Sequence, residues 1–261
     1  MSETLLATRN LSNHFGKVCT ARDLSLSFEQ GVLTSIIGPN GAGKSTLINL
    51  LTGHLPVQSG KIFFLGKEIT RMPIHRRVRM GICRSFQVVN VFPALTVEEN
   101  VMIPVLSRAG RSWRPFSRVG REEASREETF SVLERIGLME VRETPACALS
   151  HGDLRLLEVG VALAAAPKLL FLDEPTAGMN PVERVRLLEN IRALCREGKT
   201  TFVLVEHDMD IVFSLSERIV VLHRGEVLCD GTPDRVRADE KVREVYLGGD
   251  VSDLFRYREA E

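Results

Sequence analysis

The nonapeptide GPNGAGKST, residues 38–46, has the spacing G-x-x-x-x-G-K-[ST], a set of residue types suited to gripping a polyphosphate. Gly38, Gly41 and Gly43 free the backbone to curl through Pro39, Asn40 and Ala42, so that consecutive N–H groups turn inward at phosphates beside a helix start. Lys44 adds a point charge for the β and γ phosphates, the Ser45 hydroxyl completes a Mg²⁺ shell, and Thr46 closes the loop. A chance glycine-rich turn is the competing reading. It loses weight because the loop follows the apolar VLTSII and opens LINLLTG, a strand, loop and helix setting.

KLLFLDE (168–174) supplies carboxylates where such a loop needs them, with Asp173 and Glu174 at the carboxyl end of a presumed strand, the edge at which open α/β sheets bind ligands. Asp173 can hold Mg²⁺ through water, and Glu174 is then left to orient and deprotonate an attacking water. Two such acids can also cap the next helix or stand in solvent; the phosphate loop favours the chemical role. His207 closes the run TTFVLVEH and is expected on the same edge, within reach of a γ-phosphate, although a lone histidine is more often structural. Gln87 in CRSFQVV is either a surface glutamine or a side chain that touches Mg²⁺ and reports nucleotide occupancy. LSHGD (149–153) reads locally as a helix cap: Ser150 is expected to accept from the N–H of Asp153 while Asp153 reaches back to the N–H of Ser150.

These residues need a scaffold that brings strand ends to one edge. Short apolar runs bounded by turn residues, VLTSIIG (32–38), KIFFLG (61–66), KLLFLDE, TTFVLVEH (200–207) and RIVVLHRG (218–225), read as strands. Several are apolar on consecutive residues, as expected when helices cover both faces of a mostly parallel sheet. PVERVRLLENIRALCREG (181–198) reads as a helix with Pro181 at its start, Val185, Leu188, Ile191 and Leu194 on one stripe, and Gly198 as its stop. The stretch from about Val88 to Ala165 is mostly helical in pattern, clearest at SVLERIGL (131–138), and is expected to be an inserted helical subdomain. Within it, residues 107–128 are rich in Arg, Ser and Gly; because the basic residues run into glutamates, a solvated loop is preferred to an RNA-binding arm.

Composition narrows the partners. The 261 residues include 34 basic and 34 acidic side chains, so no net field draws the chain to nucleic acid or to an anionic membrane, and any membrane contact is expected to be made through protein. Five scattered cysteines without a CxxC argue against a disulfide framework or a zinc site and read as reduced core thiols. The N-terminal residues lack a signal-peptide layout and no apolar run approaches membrane-spanning length, so a soluble chain is expected.

Taken together, these motifs resemble the ATP-binding subunits of ABC transporters over almost the whole chain. GPNGAGKST resembles the Walker A loop, LLFLDE the Walker B strand, Gln87 the Q-loop glutamine and His207 the switch histidine, and AGMN (177–180) falls at the D-loop. Phe15, in NHFGKV, is similar to the aromatic that stacks on adenine, though a core position is equally open to it. LSHGD takes the place of the LSGGQ signature, with His151 for a glycine and Asp153 for a glutamine. The resemblance implies ATP and Mg²⁺ as cofactors. It also implies an α/β fold with a P-loop NTPase core of ABC type, an N-terminal antiparallel β subdomain and an inserted helical subdomain. Residues 1–250 would form the nucleotide-binding domain (core 1–87 and 166–240, helical subdomain 88–165) and 251–261 a C-terminal tail. In the family the signature of one subunit completes its partner's site, so Ser150, His151, Gly152 and Asp153 would act in trans.

The implied partners are transmembrane permease subunits, a second ATP-binding subunit and, indirectly, a substrate-binding protein, at the cytoplasmic face of the inner membrane and without nucleic acid. LSHGD, FQVVNVFPALTVEENV, DEPTAGMNP, VEHDMD and VREVYLG are similar to the ATP-binding proteins of branched-chain amino acid importers. The ATPases of lipopolysaccharide export and urea import share much of this pattern. A soluble ABC ATPase of DNA or ribosomes fits less well, because this chain has one phosphate loop and no heptads.

Overall fold

The computed structural model describes residues 3–16, 18–85, 91–108 and 119–247. They form two compact units, one built from the chain up to Ile74 and again from Thr201 onward, the other from His75–Thr200.

The first unit carries two sheets. Strand Thr4–Phe15 pairs antiparallel with Val18–Leu24, Ser27–Glu29 and Ser59–Phe64, and Lys67–Glu68 adds to the last of these. Its inner face buries Leu6, Leu11, Leu24, Phe28, Ile62 and Phe64. In the second sheet Thr34–Ile37 lies parallel to both Thr201–Val205 and Arg218–His223, and the hairpin strand Glu226–Gly231 runs antiparallel to the latter. Every residue of Thr34–Ile37 and of Thr201–Val205 is buried, as expected of a parallel strand covered on both faces. Ile37, Val212, Ile219, Val221 and Val236 form the core beneath helices Met209–Leu215 and Pro233–Ala238.

In the second unit Leu169–Asp173, again buried throughout, pairs parallel with Ile82–Arg84. Helices Val97–Arg108, Val119–Arg135 and His151–Ala164 pack on one another, and His151–Ala164 also packs on Pro181–Arg196. Val101, Val105, Leu133, Ile136, Leu156 and Leu157 fill that bundle. The helical bundle therefore shares its unit with two strands. The architecture is α/β, with the parallel strands and helical segment that the sequence pattern implies and the antiparallel N-terminal sheet that the family resemblance implies.

Three expectations are corrected. The buried stripe of Pro181–Arg196 is Leu187, Ile191 and Leu194, while Val185 is 55% exposed. The stripe starts late because Glu183 and Arg186, in the first turns, are turned to the start of helix His151–Ala164. The cysteines are free, but only Cys83 and Cys229 are buried and Cys147 is exposed, so they are not all core thiols. Burial pushes the Cys83 thiol up to about 11. Finally, the strand expected to end at His207 stops at Val205, because Asp208 caps a helix with bonds from the N–H groups of Asp210 and Ile211.

Candidate nucleotide site

The phosphate loop joins strand Thr34–Ile37 to helix Lys44–Thr52. Gly43 stands at the helix start in the left-handed region, φ 104°, and no side chain caps the helix. The first N–H groups of an α-helix have no partner within it, and here no capping side chain competes with an anion for them. A Cβ on Gly43 would lie 2.2 Å from the Thr20 carbonyl oxygen, so only glycine lets the loop pass this close to strand Val18–Leu24. Beside Thr20, the N–H of Gly225 donates to Ala42 O at 2.9 Å. Lys44 is buried and donates through Nζ to Gly38 O at 2.6 Å and to Pro39 O at 3.2 Å. Its ammonium thus lies against the loop's own carbonyls. Asn40, Gly41 and Ser45 are exposed, and Thr46 is half-buried.

Strand Val18–Leu24 also ties this loop to Phe15, which is 51% exposed at the end of the first strand and pairs across the hairpin with Val18, 63% exposed. A core role for Phe15 is excluded. Val18, which pairs with Phe15, and Thr20, which Gly43 approaches, are two positions apart on this strand, about 7 Å at strand rise. His207 is exposed two residues beyond strand Thr201–Val205. Val205 pairs with Ile36 and Gly38 follows Ile37, so His207 and the phosphate loop leave the same edge of adjacent parallel strands.

In the second unit, Asp173 ends strand Leu169–Asp173 with 2% exposure, and its Oδ2 accepts from Arg84 Nη2 at 2.5 Å. Glu174 follows at φ 48°, a left-handed conformation rare for a side chain this long. Such backbone strain costs on the order of 1–3 kcal/mol and persists only where the surroundings impose it. Glu174 is half-buried, where Asp173 before it is buried.

Ser150 caps helix His151–Ala164, accepting from the N–H of Asp153 at 3.0 Å as the sequence predicts. The reciprocal bond differs. The Ser150 hydroxyl donates to Asp153 Oδ2 at 3.1 Å, and Asp153 Oδ1 accepts from Arg186 at 2.7 Å. Aspartate is a methylene shorter than the glutamate of a capping box, and Arg186 claims its other oxygen. A complete box forms instead at Asn180 and Glu183, opening the next helix. Glu183 also accepts from the N–H of Gly152 at 3.2 Å, and a Cβ on Gly152 would meet Glu183 Cγ at 2.7 Å. Gly152 therefore serves close packing, and its N–H is already committed. His151 Nε2 lies 3.3 Å from Ala177 O. The signature and the loop 177–180 are thus joined by two side chains. Gln87 and the tail 251–261 lie outside the described residues, as do 109–118 of the Arg-rich stretch 107–128; the rest of that stretch is not the expected loop, because 107–108 end helix Val97–Arg108 and 119–128 open helix Val119–Arg135.

Sequence reasoning missed Arg84, Glu183, Arg186 and Gln58, whose side-chain amide bonds both backbone groups of His14 beside Phe15. A capping box at Asn180–Glu183 was readable from N-x-x-E spacing. The other three act through long-range pairing that no local pattern announces. Among the described residues no three His, Cys, Asp or Glu side chains cluster as a metal cage. Mg²⁺ needs none, since it is commonly held by one or two carboxylates with substrate phosphates. Asp173 fits such a role, because its buried oxygen already faces a cation.

A glycine loop at a helix start and a strand-end Asp–Glu pair define a P-loop nucleoside triphosphatase. Residues 21–177 match the ABC transporter family model, and residues 226–252 match that of the branched-chain amino acid ATP-binding cassette transporter. The chain belongs to the ABC transporter ATP-binding family, and it is an ATP-hydrolysing cassette. The high-affinity branched-chain amino acid transport ATP-binding protein LivG of Salmonella typhimurium is 38% identical over 255 residues, 95% of this chain and 99% of that one. A probable LivG protein of Archaeoglobus fulgidus is 38% identical over 254 residues, 96% and 98% of the two chains. The crystal structure of an ABC transporter's ATP-binding cassette in its ADP conformation matches with a TM-score of 0.82 at 33% identity, covering 95% of this chain and 100% of that one. Among the described residues no helix is long and apolar enough to cross a membrane.

Proposed function

We propose that this chain is the ATP-hydrolysing subunit of a branched-chain amino acid importer, working as one of two ATP-binding subunits on permease partners at the cytoplasmic face of the inner membrane. The observation that carries the substrate class is the branched-chain type match at residues 226–252, on a chain whose relatives carry that name along their full length. Residues 1–250 are assigned to the nucleotide-binding domain, with 88–165 as its helical subdomain.

In this reading Phe15 stacks on adenine, while the backbone of 38–46 and the Lys44 ammonium bind the phosphates. Ser45, Asp173 and Gln87 hold Mg²⁺, which when bound neutralises phosphate charge. Glu174 takes a proton from the attacking water and His207 contacts the γ-phosphate. Ser150 completes the partner's site, with Gly152 serving there by close packing on Glu183 rather than through its N–H. Asp153 acts by fixing the Ser150 hydroxyl, and His151 by tying the signature to Ala177.

The test is co-purification from detergent-solubilised membranes followed by reconstitution. The expected result is a polytopic permease in the complex and ATPase activity raised by a leucine-loaded binding protein. Ribosomes or DNA in place of a permease would overturn transport, and stimulation by urea or lipopolysaccharide alone would overturn the substrate.

A further inference from the structure

Arg84 and Asp173 form a nearly buried ion pair, with side-chain exposures of 11% and 2%. Its geometry follows from strand register. Arg84 is the Cα partner of Phe171 on the parallel neighbour, and the N–H of Ser85 donates to Phe171 O at 2.8 Å. Asp173 lies two residues beyond Phe171, on the same face of the strand, so an arginine placed at 84 reaches its carboxylate diagonally. A carboxylate this deep requires a cation beside it, because burial without a partner costs far more than an exposed pair returns. A divalent ion reaching the same carboxylate meets a fixed guanidinium close by, and repulsion scales with the product of the charges.

We propose that Arg84 is a cationic stand-in at Asp173, which keeps divalent metal out of the site until a nucleotide brings enough negative charge to admit it. This rests on the reading of Asp173 as a metal ligand. The charge balance supports it. The Arg84–Asp173 pair is neutral; metal alone would leave two uncompensated positive charges there. The phosphates of a nucleoside triphosphate reverse that sign, so metal and nucleotide enter together. The consequence is a cassette that does not take up free Mg²⁺ between turnovers.

The experiment measures Mn²⁺ binding to the full chain by electron paramagnetic resonance, without nucleotide and with a non-hydrolysable ATP analogue. Arg84→Gln, Arg84→Lys and Asp173→Asn are compared with the native chain, and folding of each is checked by circular dichroism. Arg84→Gln is expected to bind Mn²⁺ without nucleotide at least ~10-fold more tightly than the native chain, and Arg84→Lys to restore exclusion in part. Unchanged or weaker nucleotide-free Mn²⁺ binding in Arg84→Gln would overturn the proposal and leave the pair as a strand tie alone. Asp173→Asn separates the two readings: if it leaves Mn²⁺ binding with the analogue intact, Asp173 is not a ligand and the underlying assignment falls. Should Arg84→Gln not fold, Arg84→Lys decides alone, since its shorter, single-headed cation must still loosen exclusion measurably.

Discussion

Gln58 holds His14 by both backbone groups: the His14 N–H donates to Gln58 Oε1 at 2.8 Å, and Gln58 Nε2 donates to His14 O at 2.9 Å. The ladder between the first strand and Ser59–Phe64 ends at Ser12 and Ser59, so the Gln58 amide acts as one further rung, supplied by a side chain. The next residue is Phe15. On its proposed role the clamp fixes the platform on which adenine stacks.

Gln58→Ala is therefore expected to raise the KM for ATP several-fold while kcat at saturating ATP stays near the native value. Two lost hydrogen bonds of about 1 kcal/mol each set the upper limit of that effect. Phe15→Ala should move the same constant in the same direction, and the double variant should cost less than the sum, since both act on one platform. Steady-state kinetics on the four chains decide it; a fall in kcat at constant KM would detach the clamp from base binding.

Gly152 and Glu183 give a second test. The methyl group of Gly152→Ala would enter the space that the Glu183 side chain fills. Overpacking of this kind typically costs about 1–3 kcal/mol. Glu183 also closes the capping box at Asn180, so the strain falls on the next helix start as well. Gly152→Ala should lower the denaturation midpoint, and adding Glu183→Ala should recover part of the loss although that change alone destabilises. Simple additivity in chemical denaturation would mean that the two residues do not constrain each other.

What the sequence revealed divides along physical lines. The phosphate loop was legible because its function fixes glycines, a lysine and a hydroxyl at set offsets, and the buried strands were legible because burial on both faces imposes continuous apolar runs. Asp153 was half legible: spacing indicated a cap, but side-chain length decides which atom closes it, and Arg186, from another helix, decides what holds the second oxygen. Val185 was misplaced because a helical stripe fixes relative phase, whereas the side that meets the core depends on neighbours. Arg84 was invisible for the same reason. Its partner lies 89 residues away and meets it only through strand register.

The signature offers the last test, since cap and chemistry converge on Ser150. Its hydroxyl accepts from the Asp153 N–H and donates to the Asp153 carboxylate, which Arg186 holds in place. As a cap alone, Ser150→Ala should cost about 1 kcal/mol of stability and leave turnover intact below the melting range. If Ser150 meets the partner's γ-phosphate, the same change should cut ATPase activity more than tenfold, well beyond what that stability loss explains. Mixing Lys44→Ala with Ser150→Arg chains separates cis from trans action. Each homodimer should be inactive. In the mixed dimer one site collects both lesions, and the other joins an intact phosphate loop to an intact signature. Partial recovery of ATPase activity upon mixing is expected. No recovery at any ratio, with mixed dimers verified by cross-linking, would mean that the intact site does not work alone or that the motif serves its own subunit. Single-turnover hydrolysis in the mixed dimer distinguishes these, because one trans-completed site still fires once even when repeated cycling needs both.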